Sequence, residues 1–181
     1  MKFLIMNVLV LMAATAFAKS DSVYTSVAKK DCKSIEDSET DPNAPIDYYT
    51  GHCKGQNGYT VVVSGGDIRY DVSLLYSGRA IQLTQIGSFH DMGADKVEWR
   101  GAVGANGQIS KFDALIYRLN VGVYNVDTTE TVYSDILYVA RLNGAKSCIV
   151  GKVSRATNMN EQARKIADNA ASLPCIEKLV F

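Results

Sequence analysis

The residues that could carry chemistry are few. Of two histidines, His90 is followed by Asp91 and preceded by Ser88. That puts the three residue types of a serine hydrolase close together: a hydroxyl nucleophile, a base and a carboxylate to orient it. No G-x-S-x-G elbow accompanies them. Triads assemble in space rather than along the chain, so an ordinary loop histidine is the plainer expectation, with a hydrolase using His90 as the remote alternative. His52 sits beside Cys53. The segment Ser34–Asp47 carries Glu36, Asp37, Glu39, Asp41 and Asp47 with Pro42 and Pro45. Its oxygen ligands suit calcium, but the D-x-[DN]-x-[DN]-G spacing is missing, which predicts a solvated acidic loop. Gly55-Gln56-Asn57-Gly58 and Gly104-Ala105-Asn106-Gly107 are turns: neither opens a helix after a strand, as a phosphate cradle would. These readings predict no metal and no cofactor.

The four cysteines are Cys32, Cys53, Cys148 and Cys175. No pair has the short spacing of a zinc site, and there is no C-x-x-C redox motif. An even count points to two disulfides. Of the three possible pairings, Cys32–Cys53 with Cys148–Cys175 is favoured because each joins neighbours in sequence.

The setting agrees. Lys2, the apolar run Phe3 to Met12 and Ala16-Phe17-Ala18 compose a signal peptide over residues 1–18. The run is too short to predict a membrane span. Residues 19–181 are then expected as one disulfide-stapled, β-rich domain, periplasmic or secreted. The whole chain has 19 basic and 19 acidic residues, and losing Lys2 leaves a net charge of −1. Such a balance offers no electrostatic footprint for nucleic acid and no polybasic membrane patch.

The elements that must hold these residues are mostly strands. Val23–Val27 is β-prone. Tyr59–Leu75 reads as two strands joined at Gly65-Gly66, with Ile68, Tyr70, Val72 and Leu74 alternating against Arg69, Asp71 and Ser73. Arg79–Leu83 follows as a third strand and Thr84–Lys96 is irregular. Val97–Val103 alternates again before the Asn106-Gly107 turn. Gln108–Val123 carries Leu115, Tyr117, Leu119, Val121 and Val123 on one face, and Phe112, Ala114 and Ile116, then Arg118 and Asn120, on the other. Asn125–Glu130 is a polar turn. Val132–Leu142 and Ser147–Val153 flank a turn at Asn143-Gly144. Met159, Ala163, Ile166, Ala167 and Ala170 recur at helical spacing, with Asn158 and Glu161 as a capping box and Pro174 as the stop. The prediction is a mainly β fold: one curved antiparallel sheet or partly closed barrel of about six to eight strands, packed by one C-terminal helix.

Several of these residues form a wider pattern. Tyr24-Thr25-Ser26, Cys32-Lys33, Tyr49-x-Gly51-x-Cys53-x-Gly55 and Gly58-Tyr59 are followed by Gly66-Asp67-Ile68-Arg69, Trp99-Arg100 and the closing Pro174-Cys175. This pattern resembles an uncharacterised group of exported bacterial proteins. The resemblance spans most of the chain after residue 18 and implies a periplasmic location. Cysteines, glycines and aromatics compose a framework signature, and no activity is implied by it.

Ten tyrosines and one tryptophan supply rings suited to recognition surfaces as well as to sheet packing. Tyr48, Tyr49, His90, Asp91 and Trp99 are the binding candidates. They point to a non-catalytic periplasmic binding or inhibitory module with a protein or small-molecule partner; the alternative is an envelope structural or interaction protein. Small disulfide-stapled β-domains that inhibit lysozyme offer an analogy, but the Ser-Gly-x-x-Tyr signature of one such group is not met, since Ser64-Gly65 runs into Gly66-Asp67-Ile68.

Overall fold

The computed structural model describes residues 19–67, 69–83 and 90–176. The predicted signal peptide, Ile68 of the first hairpin, and Thr84 to Phe89, including Ser88, lie outside the described residues. Eleven strands join in one sheet: β1 (Ser20–Ser26), β2 (Lys33–Asp37), β3 (Tyr49–Lys54), β4 (Tyr59–Gly66), β5 (Arg69–Tyr76), β6 (Arg79–Gln82), β7 (His90–Met92), β8 (Lys96–Val103), β9 (Ile109–Asn125), β10 (Glu130–Arg141) and β11 (Cys148–Ser154). Helix α1 (Met159–Ala167) follows. The order β1-β8-β9-β7-β5-β4-β3-β2 curls into a half-barrel of eight strands, with β10 and β11 added along β9 and β6 along β5. Every pairing between the described strands is antiparallel except the single contact of Arg69 with His90.

Two apolar layers hold it together. Inside the curl, Val61, Val63, Val72, Leu74, Trp99, Leu115, Tyr117, Leu119 and Tyr138 are buried. On the outer face, Ala114, Ile116, Leu137, Val139, Val150 and Val153 receive Met159, Ala163 and Ala167 of α1. β9 builds both layers, because its period of two sends odd residues inward and even residues to the helix.

Phe112 departs from that alternation. The register slips between Arg100 and Gly101, where Arg100 faces Ala114 but Gly101 faces Phe112. This bulge turns Phe112 to the inner layer, beside Trp99 at 6.3 Å between ring centroids, rather than to the outer face with Ala114.

The Gly65-Gly66 turn is also corrected. Both glycines lie within β4, opposite Tyr70 and Arg69. The chain reverses one step later, where Asp67 takes φ 49°. The glycines serve close approach: a Cβ on Gly65 would lie 2.5 Å from the Tyr70 ring. β2 emerges from what reads as an acidic loop, because Lys33–Asp37 pairs with β3, and Asp37 at its end is buried and paired to Lys29 at 2.9 Å. At the head of α1 the capping box does not form: Asn158 makes no side-chain cap, but accepts from Gln162 Nε2 at 2.6 Å, and Glu161 pairs with Lys165 at 2.7 Å.

Both expected disulfides are present, Cys32–Cys53 and Cys148–Cys175. They suit an oxidising, extracellular compartment, and no described helix is long and apolar enough to cross a membrane.

Tyr138 gives a sharp test of the inner layer. Its ring stacks on Tyr117 at 5.6 Å, its hydroxyl is buried without a hydrogen-bond partner, and burial pushes its pKa up to about 12. Removing an unsatisfied buried hydroxyl relieves a desolvation cost. Tyr138→Phe is therefore expected to raise the unfolding free energy by about 1 kcal/mol, read from urea titrations of the two proteins.

Candidate functional site

The residues singled out by type mostly serve the interior. Trp99 is fully buried, with Nε1 donating to Thr25 Oγ1 at 2.8 Å. Tyr49 is buried with Lys29 Nζ 5.1 Å from its ring centroid. Tyr48 is half-buried and stands against Gly66. His90 is 1 % exposed, with Nε2 3.6 Å from Asp71 Oδ1. Asp91 points to solvent and accepts from the Met92 amide at 2.6 Å. The structure therefore brings His90 to Asp71 and turns Asp91 away. Among the described residues no group of three His, Cys, Asp or Glu side chains is placed to hold a metal ion.

A polar clamp ties α1 to the sheet. Glu98 of β8 accepts from Arg164 Nε at 2.7 Å and from Ser22 Oγ at 2.5 Å. Arg164 also donates to Tyr24 Oη at 2.8 Å. Arg100 forks onto Asp168 through Nε and Nη2. Desolvation pushes the Glu98 carboxyl up, but its hydrogen bonds with Arg164, Ser22 and Tyr24 outweigh it and hold the pKa below the usual range. Asp135 is likewise lowered, by Asn120 first and by Arg118, against partial desolvation. The depression beside Arg100, lined also by Ser20, Asp113 and Asp168, has about 200 Å³, under the range of small-molecule sites, and its arginine is already taken by Asp168. The clamp is therefore structural.

Removing Glu98 leaves Arg164 without its carboxylate partner. Because Arg164 is 39 % exposed, the loss is discounted from the fully buried case, and Glu98→Ala is expected to cost about 2 kcal/mol. The pH dependence has a definite sign. Carboxyls held low in the folded state stabilise it above their ordinary pKa, and this stability is lost as pH falls through the folded values. Urea midpoints should therefore fall below about pH 4, less steeply in Glu98→Gln; an equal slope in both proteins would contradict the assignment.

The exposed feature lies elsewhere. β9 and β10 pair from Ala114 with Arg141 to Asn125 with Glu130, but their outer neighbours stop short. Among the described residues, the pairing of β7 with β9 runs from Met92 opposite Leu119 to His90 opposite Val121, and that of β11 with β10 ends at Ile136. Among the described residues, 122–135 therefore form a two-stranded arm whose outer edges carry no strand. Its free part on β9 extends roughly 13 Å. Val123 and Val132 are directly opposed on one face. On the other, the Tyr133 ring covers Gly122, where a Cβ would meet it at 2.8 Å, and Tyr124 lies beside it. Val126 caps the turn, which Asn125 closes by accepting from the Asp127 amide at 2.9 Å. Val123, Tyr124, Val126, Val132 and Tyr133 are 45–76 % exposed.

None of these five is a candidate catalytic or metal-ligating residue, and type marks only Tyr124 and Tyr133 among them, as two of ten tyrosines. The signal shared by all five is length. The alternating runs on either side of Asn125–Glu130 are long, 17 residues in β9 and 12 in β10, and their shared end runs past the flanking strands among the described residues. No known family, curated protein or solved structure matches the chain, so the arm stands as the candidate site on its geometry alone.

Proposed function

We propose that the protein is an exported, non-catalytic binding module that contacts a protein partner through the β9–β10 arm. One observation carries this reading: five large apolar side chains are exposed together on a projecting ribbon. Exposed apolar side chains clustered on both faces of one ribbon suit an interaction site, and the strand edges left unpaired among the described residues offer main-chain hydrogen bonds to an incoming strand. The partner's chemistry follows: an apolar patch beside an accessible sheet edge or extended segment. The periplasm is the compartment of this reading, supported by the Lys2 to Ala18 segment, by the resemblance to exported proteins and by the two disulfides. An enzyme inhibitor and an envelope interaction protein are two forms of the same module, and undiminished lysis by lysozyme in the presence of the purified protein would remove the lysozyme-inhibitor form.

The test is a double substitution on the arm, Val126→Asp with Val132→Asp. Neither side chain packs in either core, so the unfolding free energy should stay within about 0.5 kcal/mol of the parent. Recovery of the partner from crosslinked envelope extracts should fall at least tenfold. A folded variant that recovers the same partner undiminished contradicts the proposal.

A further inference from the structure

The two disulfides sit in different surroundings. Cys53 is 1 % exposed in the inner layer and Cys32 packs against the same layer. Cys175 is exposed after Pro174, and Cys148 is half-exposed at the start of β11. Arg141, at the end of β10, faces this second pair. Its Nη2 lies 3.6 Å from Cys148 Sγ and 3.4 Å from Cys175 Sγ. Its Nη1 donates to the Leu173 carbonyl at 3.0 Å, and its Nε is buried without a partner. Among the described residues no carboxylate forms an ion pair with Arg141.

A half-buried guanidinium without a carboxylate is poorly matched to a disulfide, whose neutral sulfurs are weak acceptors. It is well matched to a thiolate, a full anion that arginine stabilises strongly. The interaction is realised only when the bond opens. We propose that Cys148–Cys175 is a thiol–disulfide exchange site for a dithiol reductant, poised by Arg141, while Cys32–Cys53 is a permanent staple.

The exchange balances with the dithiol as reductant. One of its thiolates attacks the exposed Sγ of Cys175, forming a mixed disulfide. The Cys148–Cys175 bond breaks, and Cys148 Sγ leaves with the electron pair beside Arg141. The second dithiol thiolate then attacks the reagent sulfur of the mixed disulfide and releases the Cys175 thiolate. Two electrons pass to the protein, the dithiol becomes a disulfide, and its two protons go to solvent or to the new thiolates. The fold survives this step, because α1 is held by its apolar face and the Glu98 clamp. What is released is the segment around Cys175, left with the Ile176 amide on the Ile149 carbonyl at 2.8 Å and the Leu173 carbonyl on Arg141.

The experiment equilibrates the folded, oxidised protein in graded dithiothreitol, traps thiols by alkylation and maps both pairs by peptide mass spectrometry. Cys148–Cys175 should open while the circular dichroism of the sheet is unchanged, at a dithiol concentration at least tenfold below that for Cys32–Cys53. Arg141→Gln should slow its opening about tenfold through loss of leaving-group stabilisation, with Arg141→Lys restoring part of the rate. Both pairs opening together only on unfolding would overturn the proposal, whether or not the variants fold. So would equal opening rates in the parent, Arg141→Gln and Arg141→Lys.

Discussion

Trp99→Ala is expected to cost about 4 kcal/mol of unfolding free energy, the range for deleting a buried tryptophan side chain. The indole sits on β8 between β1 and β9, fully enclosed, with its ring centroid 6.3 Å from those of Tyr59 and Phe112. Deletion removes its transfer free energy, leaves a cavity where three elements meet, and strands the Thr25 hydroxyl. The loss is a large share of the roughly 5–15 kcal/mol that holds a typical domain. Trp99→Phe keeps part of the volume and should lose less than half as much. Val126→Ala, at 76 % exposure, should change stability by under about 0.5 kcal/mol. Urea unfolding followed by circular dichroism reads all three. A loss below about 1 kcal/mol for Trp99→Ala would put Trp99 at the surface, where a recognition role would place it.

Removing the Cys32–Cys53 bridge as the double alanine variant is expected to cost about 3 kcal/mol, the loop-entropy value for a separation of 21 residues. The consequence is local before it is global. β2 pairs with β3 alone, and only Asp37 of its five residues is buried. Without the bridge, the Lys29–Asp37 ion pair, with the Lys29 pKa raised by Glu39 and then Asp37, is the main side-chain tie on this edge. Amide exchange should therefore accelerate in residues 33–37 by more than in β9. Uniform acceleration across the sheet, or no loss of stability, would show that this edge is held by other means.

The parts of the fold that follow from periodicity were legible. The switch in β9 from apolar on both faces to apolar on one reproduces its two layers, with α1 covering Ala114 and Ile116 and leaving Arg118 and Asn120 to polar partners. The disulfides followed from proximity along the chain. What escaped depends on long-range contacts. Gly65-Gly66 looks like a turn because glycine tolerates φ > 0, yet here it makes room for Tyr70. Phe112 obeys the alternation until a bulge opposite Gly101 inverts it. Asp37 looks like one of several loop carboxylates until β3 pairs with it at Tyr49 and Lys29 neutralises its carboxylate. The candidate site escaped for a related reason. Trp99, Tyr49 and His90 have side chains that suit recognition, and the same side chains fill a curled sheet. The exposure of Val123 and Val132 goes with the lack, among the described residues, of a strand beside 122–125 and 130–135, a long-range feature that residue type alone does not encode.

The most direct test of the account is site-specific photocrosslinking in intact cells, with a benzophenone amino acid at Val126 or Tyr133 on the arm and at exposed Lys54 on the body. The account predicts one discrete adduct of constant mass from both arm positions, none from Lys54, and loss of the adduct when Val132→Asp is added. Adducts from Lys54 alone, or equally from all three positions, would contradict it.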